Sequence, residues 1–227
     1  MTMRAALYWA PEVDDPLHAA GSAWLGRDAE TGATLTQPPV PDLPALTADA
    51  RGYGLHATLK PPFRIATSYA ALREDAAAFA ARTAPFDLPP LAVMDLKGFL
   101  ALRETAPCPA LRALTDGAVA ALDAHRAPPT EQELARRRKA NLSPRQEAML
   151  ARWGYPYLEE DWQFHVTLTR RLTPEEAAWV RPAAEAHFAS VFEMGTGRAR
   201  RVREVCLFTQ AGPGAPFLIA ERLALGG

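Results

Sequence analysis

Two short segments, Leu55-His56-Ala57-Thr58-Leu59 and Phe164-His165-Val166-Thr167-Leu168, repeat one pattern in the two halves of the chain. In each, polar and apolar residues alternate, and only an extended strand converts that alternation into one polar and one apolar face. On a helix, residues two apart diverge by roughly 200°, and each His would part from its Thr. The stretch downstream of each segment repeats as well: a turn marked by proline, an Ala-rich amphipathic helix, a triplet (Phe86-Asp87-Leu88, then Phe192-Glu193-Met194), and a strand rich in Leu and Phe at 98–103 and 204–210. Four features in one order constrain the chain to an α+β fold of two related lobes. An approximate twofold between the lobes would set the histidine strands side by side.

The remaining elements are set by periodicity and breakers. Residues 3–10 read as a buried first strand ended by Pro11, and 14–44 as a connection with at most one or two helical turns around Ala23-Trp24-Leu25. Strand character over 53–60 ends at Pro61-Pro62, and an amphipathic helix spans about 69–82. Two strands about a turn occupy 86–103, and a second helix 111–125. Thr130 followed by Glu133 has capping-box spacing and opens a helical insertion over 128–160, whose Arg136-Arg137-Arg138-Lys139 is the densest basic run. That run reads as a solvated helix face or, more sharply, as a lid that grips phosphate. A strand at 162–170, a helix from Thr173 to about Phe188, and two closing strands at 202–209 and 216–225 complete one bilobal domain over 1–227.

Composition narrows the function classes. With 48% hydrophobic and 22% charged residues in 227, the chain is neither disordered nor fibrous. Twenty-one prolines oppose a long-helix bundle, and a net charge of −1 supplies no general field for long nucleic acid or an anionic membrane. The two cysteines, Cys108 and Cys206, lack C-x-x-C spacing, and no apolar run reaches the length of a signal core or membrane span. The expected setting is the reducing cytoplasm. Oligomeric state is not legible.

Two histidines facing one cleft suit acid–base work, because one imidazole can be neutral while the other is protonated. Thr58 and Thr167 offer hydroxyl donors to a charged oxygen. Together they are the parts for cleaving a phosphate ester. Lys60 and Arg171 continue the two polar faces and are candidates for holding a second phosphate, with Tyr53, Tyr155 and Tyr157 to stack on or hydrogen-bond a sugar or base. Arg27 reaches either the ligand or a surface carboxylate such as Asp28 or Glu30. His18, His125 and His187 read as structural. Neither H-x-x-x-H nor a carboxylate adjoins His56 or His165, so no metal is expected.

The chain resembles the 2H phosphoesterase superfamily, and within it the DUF1045 branch associated with phosphonate metabolism. The resemblance is carried by Gly21-Ser-Ala-Trp-Leu-Gly-Arg-Asp28, Tyr53-Gly-Leu-His-Ala-Thr-Leu-Lys-Pro-Pro-Phe63, Leu134-Ala-Arg-Arg-Arg138, Leu142-Ser-Pro-Arg-Gln146, Arg152-Trp-Gly-Tyr-Pro-Tyr157 and Phe164-His-Val-Thr-Leu-Thr169. It implies a LigT-like fold of two pseudo-twofold-related antiparallel sheets with helices outside. It also implies cofactor-free opening of a cyclic phosphodiester, with His56, Thr58, His165 and Thr167 at the motif positions. The expected substrate is a small phosphorylated sugar, 5-phosphoribosyl 1,2-cyclic phosphate. An RNA or nucleoside 2′,3′-cyclic phosphate, or a non-catalytic binding role for the same cleft, are the alternatives.

Overall fold

The structure is a computed structural model that describes residues 3–193 and 200–227. Met194 of the second triplet lies outside them. The backbone is α+β, as the two-lobe pattern requires: strands β1 (Arg4–Trp9), β2 (Ala57–Arg64), β3 (Phe86–Leu88), β4 (Leu91–Leu96), β5 (Phe99–Glu104), β6 (Val166–Arg171), β7 (Arg200–Val202), β8 (Glu204–Gln210) and β9 (Leu218–Ala224). The helices are α1 (Pro16–Leu25), α2 (Leu43–Leu46), α3 (Ala48–Tyr53), α4 (Tyr69–Ala81), α5 (Pro109–Ala121), α6 (Glu131–Arg138), α7 (Pro144–Trp153) and α8 (Pro174–Glu193).

Seven strands form one antiparallel sheet in the order β4-β5-β6-β2-β1-β8-β9, and β3 pairs with β7. The two expected sheets are the arms of this one, β4-β5-β6 and β2-β1-β8-β9, joined where β2 meets β6. Each half of the sequence runs strand, helix, short strand, hairpin: β2-α4-β3-β4-β5, then β6-α8-β7-β8-β9. The halves exchange hairpins. The β4-β5 hairpin of the first half flanks β6, and the β8-β9 hairpin of the second lies, through β1, on the side of β2.

The sheet has two unlike faces. Ala5, Leu7 and Trp9 of β1 join Ala57, Leu59, Val166 and Leu168 in the large core, with residues of α1, α4, α5 and α8. The alternate residues Ala6, Tyr8 and Ala10 pack with Cys206, Phe208 and Phe217 in a small second cluster. Burial of the first set, mostly below one-tenth exposed, is the dominant stabilising term. The second face is the one left to build a site.

Several expectations change on contact with the structure. The segment 14–44 holds a full ten-residue helix, α1, whose Asp15 side chain accepts from Leu17 N and whose Gly26 closes it in the left-handed region. Its run of small residues hid the helix. Tyr53 ends helix α3 instead of starting a strand, and β2 continues through Pro61-Pro62, where its register on β1 shifts between Ala5 and Leu7. The expected pair of strands at 86–103 is three, β3 being the short one. The capping box of Thr130–Glu133 starts α6 as the sequence suggests, and the structure adds a second box, Ser143–Gln146, at the start of α7.

Candidate functional site

The site starts from a backbone register. Ala57 of β2 pairs with Val166 of β6, and both side chains go to the core. Continuing that antiparallel register by one residue each way sets His56 opposite Thr167 and Thr58 opposite His165, all four on the other face. The neighbouring ladders extend the set. Tyr8 lies opposite Thr58, and Ala101 opposite Thr167, so that Arg103 falls opposite His165.

Both imidazoles are fixed the same way. His56 Nδ1 lies 2.9 Å from Gly54 O, and His165 Nδ1 lies 2.8 Å from Gln163 O. A carbonyl only accepts, so Nδ1 carries the hydrogen in each ring and Nε2 remains for chemistry. Gly54 makes the first of these anchors possible. Its φ is +81°, and a Cβ there would lie 2.4 Å from that of Ala29. His56 is further packed against Tyr8, ring centroids 4.0 Å apart, and against Tyr53 at 5.8 Å. Phe99 meets His165 edge-on at 6.0 Å.

Burial favours the neutral form of both rings. His56 is held down at about 4 by burial and, secondarily, by the charge of His165. His165 is lowered by burial and by Arg103. The two rings therefore share one electrostatic field. Trp162, shortly before the second motif, donates from Nε1 to Thr58 O at 2.9 Å and ties the motif strands together.

Lys60 and Arg27 leave the candidate set. Lys60 is 2% exposed; its Nζ donates to Val119 O (3.0 Å) and pairs with Asp123 (3.2 Å) beneath α5. The register shift in β2 carries it into that buried pair and away from the continuing polar face. Arg27 is likewise buried, donating to the backbone carbonyls of Arg51 (2.8 Å) and Phe217 (2.9 Å), so it ties the end of α1 to α3 and to the chain entering β9, and pairs with neither Asp28 nor Glu30. Thr169, aligned with Thr167 by simple alternation, sits at an irregularity between β5 and β6. Its hydroxyl accepts from Leu100 N at 3.0 Å.

The other candidates are distributed around the cleft. Tyr53 is exposed, stacked on both His56 and Phe217. Tyr155 lies beneath the Arg137 guanidinium, 4.8 Å from ring centroid to carbon, and its hydroxyl is raised by burial in the neighbourhood of Tyr157 and Tyr53. Tyr157 meets Tyr155 edge-on. Arg171 is exposed at the end of β6, opposite Phe99. Of the structural histidines, His125 bridges Thr67 and Asp75, His187 bonds Ala20 O, and His18 faces Asp28.

Sequence reading missed Tyr8, Arg103 and Trp162. Arg103 Nε is buried with no partner among the described residues, beside an imidazole, which is the setting of an anion ligand. The signal for it was the alternation Ala101-Leu102-Arg103 on β5, usable only once β5 is known to lie against β6. Cys108 and Cys206 are free, and burial pushes the Cys206 thiol up to about 12. Among the described residues no cluster of three His, Cys, Asp or Glu side chains is placed to hold a metal ion, and no helix is long and apolar enough to cross a membrane.

Known proteins give three points of comparison. Two curated proteins called ribose 1,5-bisphosphate phosphokinase PhnN are similar: that of Janthinobacterium sp. (strain Marseille) is 40% identical over 99% of this chain, and that of Laribacter hongkongensis (strain HLHK9) is 36% identical over 96%. The chain spans about half the length of each (51%). Among solved structures, E. coli LigT complexed with 3′-AMP aligns over all of both chains at 14% identity and a TM-score of 0.46. The family described as "Protein of unknown function (DUF1045)" matches residues 58–218, and the chain belongs to that family.

Proposed function

We propose that the chain is a phosphoesterase that opens a small cyclic phosphodiester with His56 and His165 as its base and acid. The observation that supports this best is the matched pair of anchors: two imidazoles on adjoining strands, each with Nδ1 committed to the carbonyl two residues back. Burial keeps His56 neutral more strongly, which suits it to take a proton from water. His165 then protonates the leaving oxygen. One P–O bond forms to the water oxygen, one ester P–O bond breaks, and the product is a phosphate monoester. The histidines end with their protonation exchanged and reset through solvent. Thr58, Thr167 and Arg103 are the donors available to the non-bridging oxygens.

Arg171, Tyr53 and Tyr155 are assigned to hold the remainder of the substrate. A ribose phosphate is the substrate class favoured by the names of the curated relatives, and 5-phosphoribosyl 1,2-cyclic phosphate is the specific proposal. The kinase activity in those names lies outside it. A phosphate-cradling loop of the kind G-x-x-x-x-G-K-[ST] has its nearest counterpart in Gly21 to Asp28, where Arg-Asp replaces Lys-[ST] and the spacing runs along α1.

Phosphorus NMR in excess EDTA tests the reading, with 5-phosphoribosyl 1,2-cyclic phosphate and a nucleoside 2′,3′-cyclic phosphate as parallel substrates. Ring opening by the wild type and none by His56→Ala/His165→Ala is expected. Equal opening by the double variant would refute two-histidine catalysis, and faster opening of the nucleotide would move the substrate to RNA ends. Tight binding without turnover of either would make the cleft a binding module.

A further inference from the structure

The basic run of α6 faces a cleft that the two-histidine chemistry does not use. The cleft is open to solvent, holds about 50 Å³ of accessible space and is lined by Arg4, Arg64, Arg126, Arg136 and Arg137, with Glu133 the carboxylate among its walls. Glu133 pairs with Arg64 (3.4 Å), and Arg126 is engaged by Asp123 (2.8 Å) outside the lining. Arg4, Arg136 and Arg137 have no carboxylate within ion-pair distance among the described residues. Arg4 bonds only the neutral Gln210, at 3.1 Å.

Arg4 stands directly opposite Arg64 across the β1–β2 ladder; Arg64 is met by Glu133, whereas the Arg4 guanidinium lies by Gln210 and over the Phe217 ring with no counter-charge among the described residues. An anion in the cleft supplies the counter-charge that Arg4 lacks. Arg4 also shares with Ala6 and Tyr8 the face of β1 that carries the histidine site, and Tyr8 stacks on His56. Arg137 reaches the same neighbourhood from α6, over Tyr155. Tyr8 and Tyr53 thus pack on His56 at one end, and Tyr155, whose hydroxyl lies in the electrostatic neighbourhood of both, lies under Arg137 at the other.

We propose that this cleft is a second anion subsite, taking a phosphate monoester at the far end of the same substrate whose cyclic phosphate lies at His56 and His165. The inference deepens the two-histidine reading and rests on it for the reacting end. The tyrosines receive the carbon skeleton, and α6 serves as one wall of the substrate site. A substrate with two phosphorylated positions is therefore selected over one with the cyclic phosphate alone.

Calorimetric titration with ribose 5-phosphate, and with ribose as control, tests the subsite without any turnover. Three proteins are compared, each checked by circular dichroism: wild type, Arg136→Gln/Arg137→Gln, and His56→Ala/His165→Ala. Ribose 5-phosphate is expected to bind the histidine variant about as well as wild type and the arginine variant about tenfold or more weakly, with ribose binding none. Undiminished binding by the arginine variant, or binding lost with the histidines alone, overturns the subsite, as does no binding to wild type. A subsite that binds in a protein opening no cyclic phosphate would instead count against the two-histidine reading, so the two failures are separable.

Discussion

His56 makes the protein's stability depend on pH in a window where the raised carboxyls of Glu12, Glu104 and Asp116 slope the opposite way. An unfolded histidine titrates near 6.5, whereas His56 in the fold is held down at about 4 by burial. Its lowered value means the folded state resists protonation. The stability it allows is complete above about 6.5 and declines as pH falls toward 4. Between pH 8 and pH 5 the unfolded imidazole becomes almost fully charged while the folded one stays about nine-tenths neutral, which costs about 2 kcal/mol. Asp15, Asp123 and Glu133 are lowered in the fold, so the stability they contribute is lost mainly below pH 5. His165 slopes the same way as His56. Urea unfolding of wild type and His56→Gln at pH 8 and pH 5 isolates the His56 share, because every other group is common to both proteins. The wild type should lose about 2 kcal/mol more than the variant over that interval. Identical losses would show that His56 titrates as an ordinary exposed imidazole, and the packing argument would be wrong.

The same lowered values make the pH dependence of kcat/KM a bell whose acid limb lies near 4 and whose alkaline limb lies below 6.5; a flat profile from pH 5 to 9 would defeat the paired-histidine mechanism. Either His56→Ala or His165→Ala alone should lower kcat by about 10²–10⁴-fold, measured by single-substrate kinetics with the fold checked by circular dichroism. Lys60→Ala leaves Val119 O without its buried donor while Asp123 keeps Arg126, and should destabilise by about 1–3 kcal/mol in urea, with KM for the substrate little changed. Arg103→Gln should raise KM and lower kcat, and inorganic phosphate should protect the wild type from thermal unfolding more than it protects the variant.

The two histidines and two threonines could be read from sequence because strand alternation is local: each His-x-Thr-Leu segment sorts its own side chains. The second-half helix, the capping box of α6 and the buried first strand were legible for the same reason. Lys60 was not, since the shift that carries it inward arises from how β2 registers on β1. Arg103 and Tyr8 were invisible because their relevance depends on which strands become neighbours, a non-local fact. Arg27 misled through its charge. Nothing within Gly-Arg-Asp reveals that three backbone carbonyls from two distant segments converge on its guanidinium. α1 was underestimated because its small residues carry little periodic signal, although Gly21 is what lets Leu55 approach it.

The seam between the two arms is thin: β2 and β6 share the single registered pair Ala57–Val166, with the Trp162 to Thr58 bond as a clasp beside it. One imidazole belongs to each arm. Any change in the splay of the arms therefore converts directly into a change in the gap between the two imidazoles, while the anchor of each ring is set within its own arm. The histidine pair is a caliper whose jaws are the two arms.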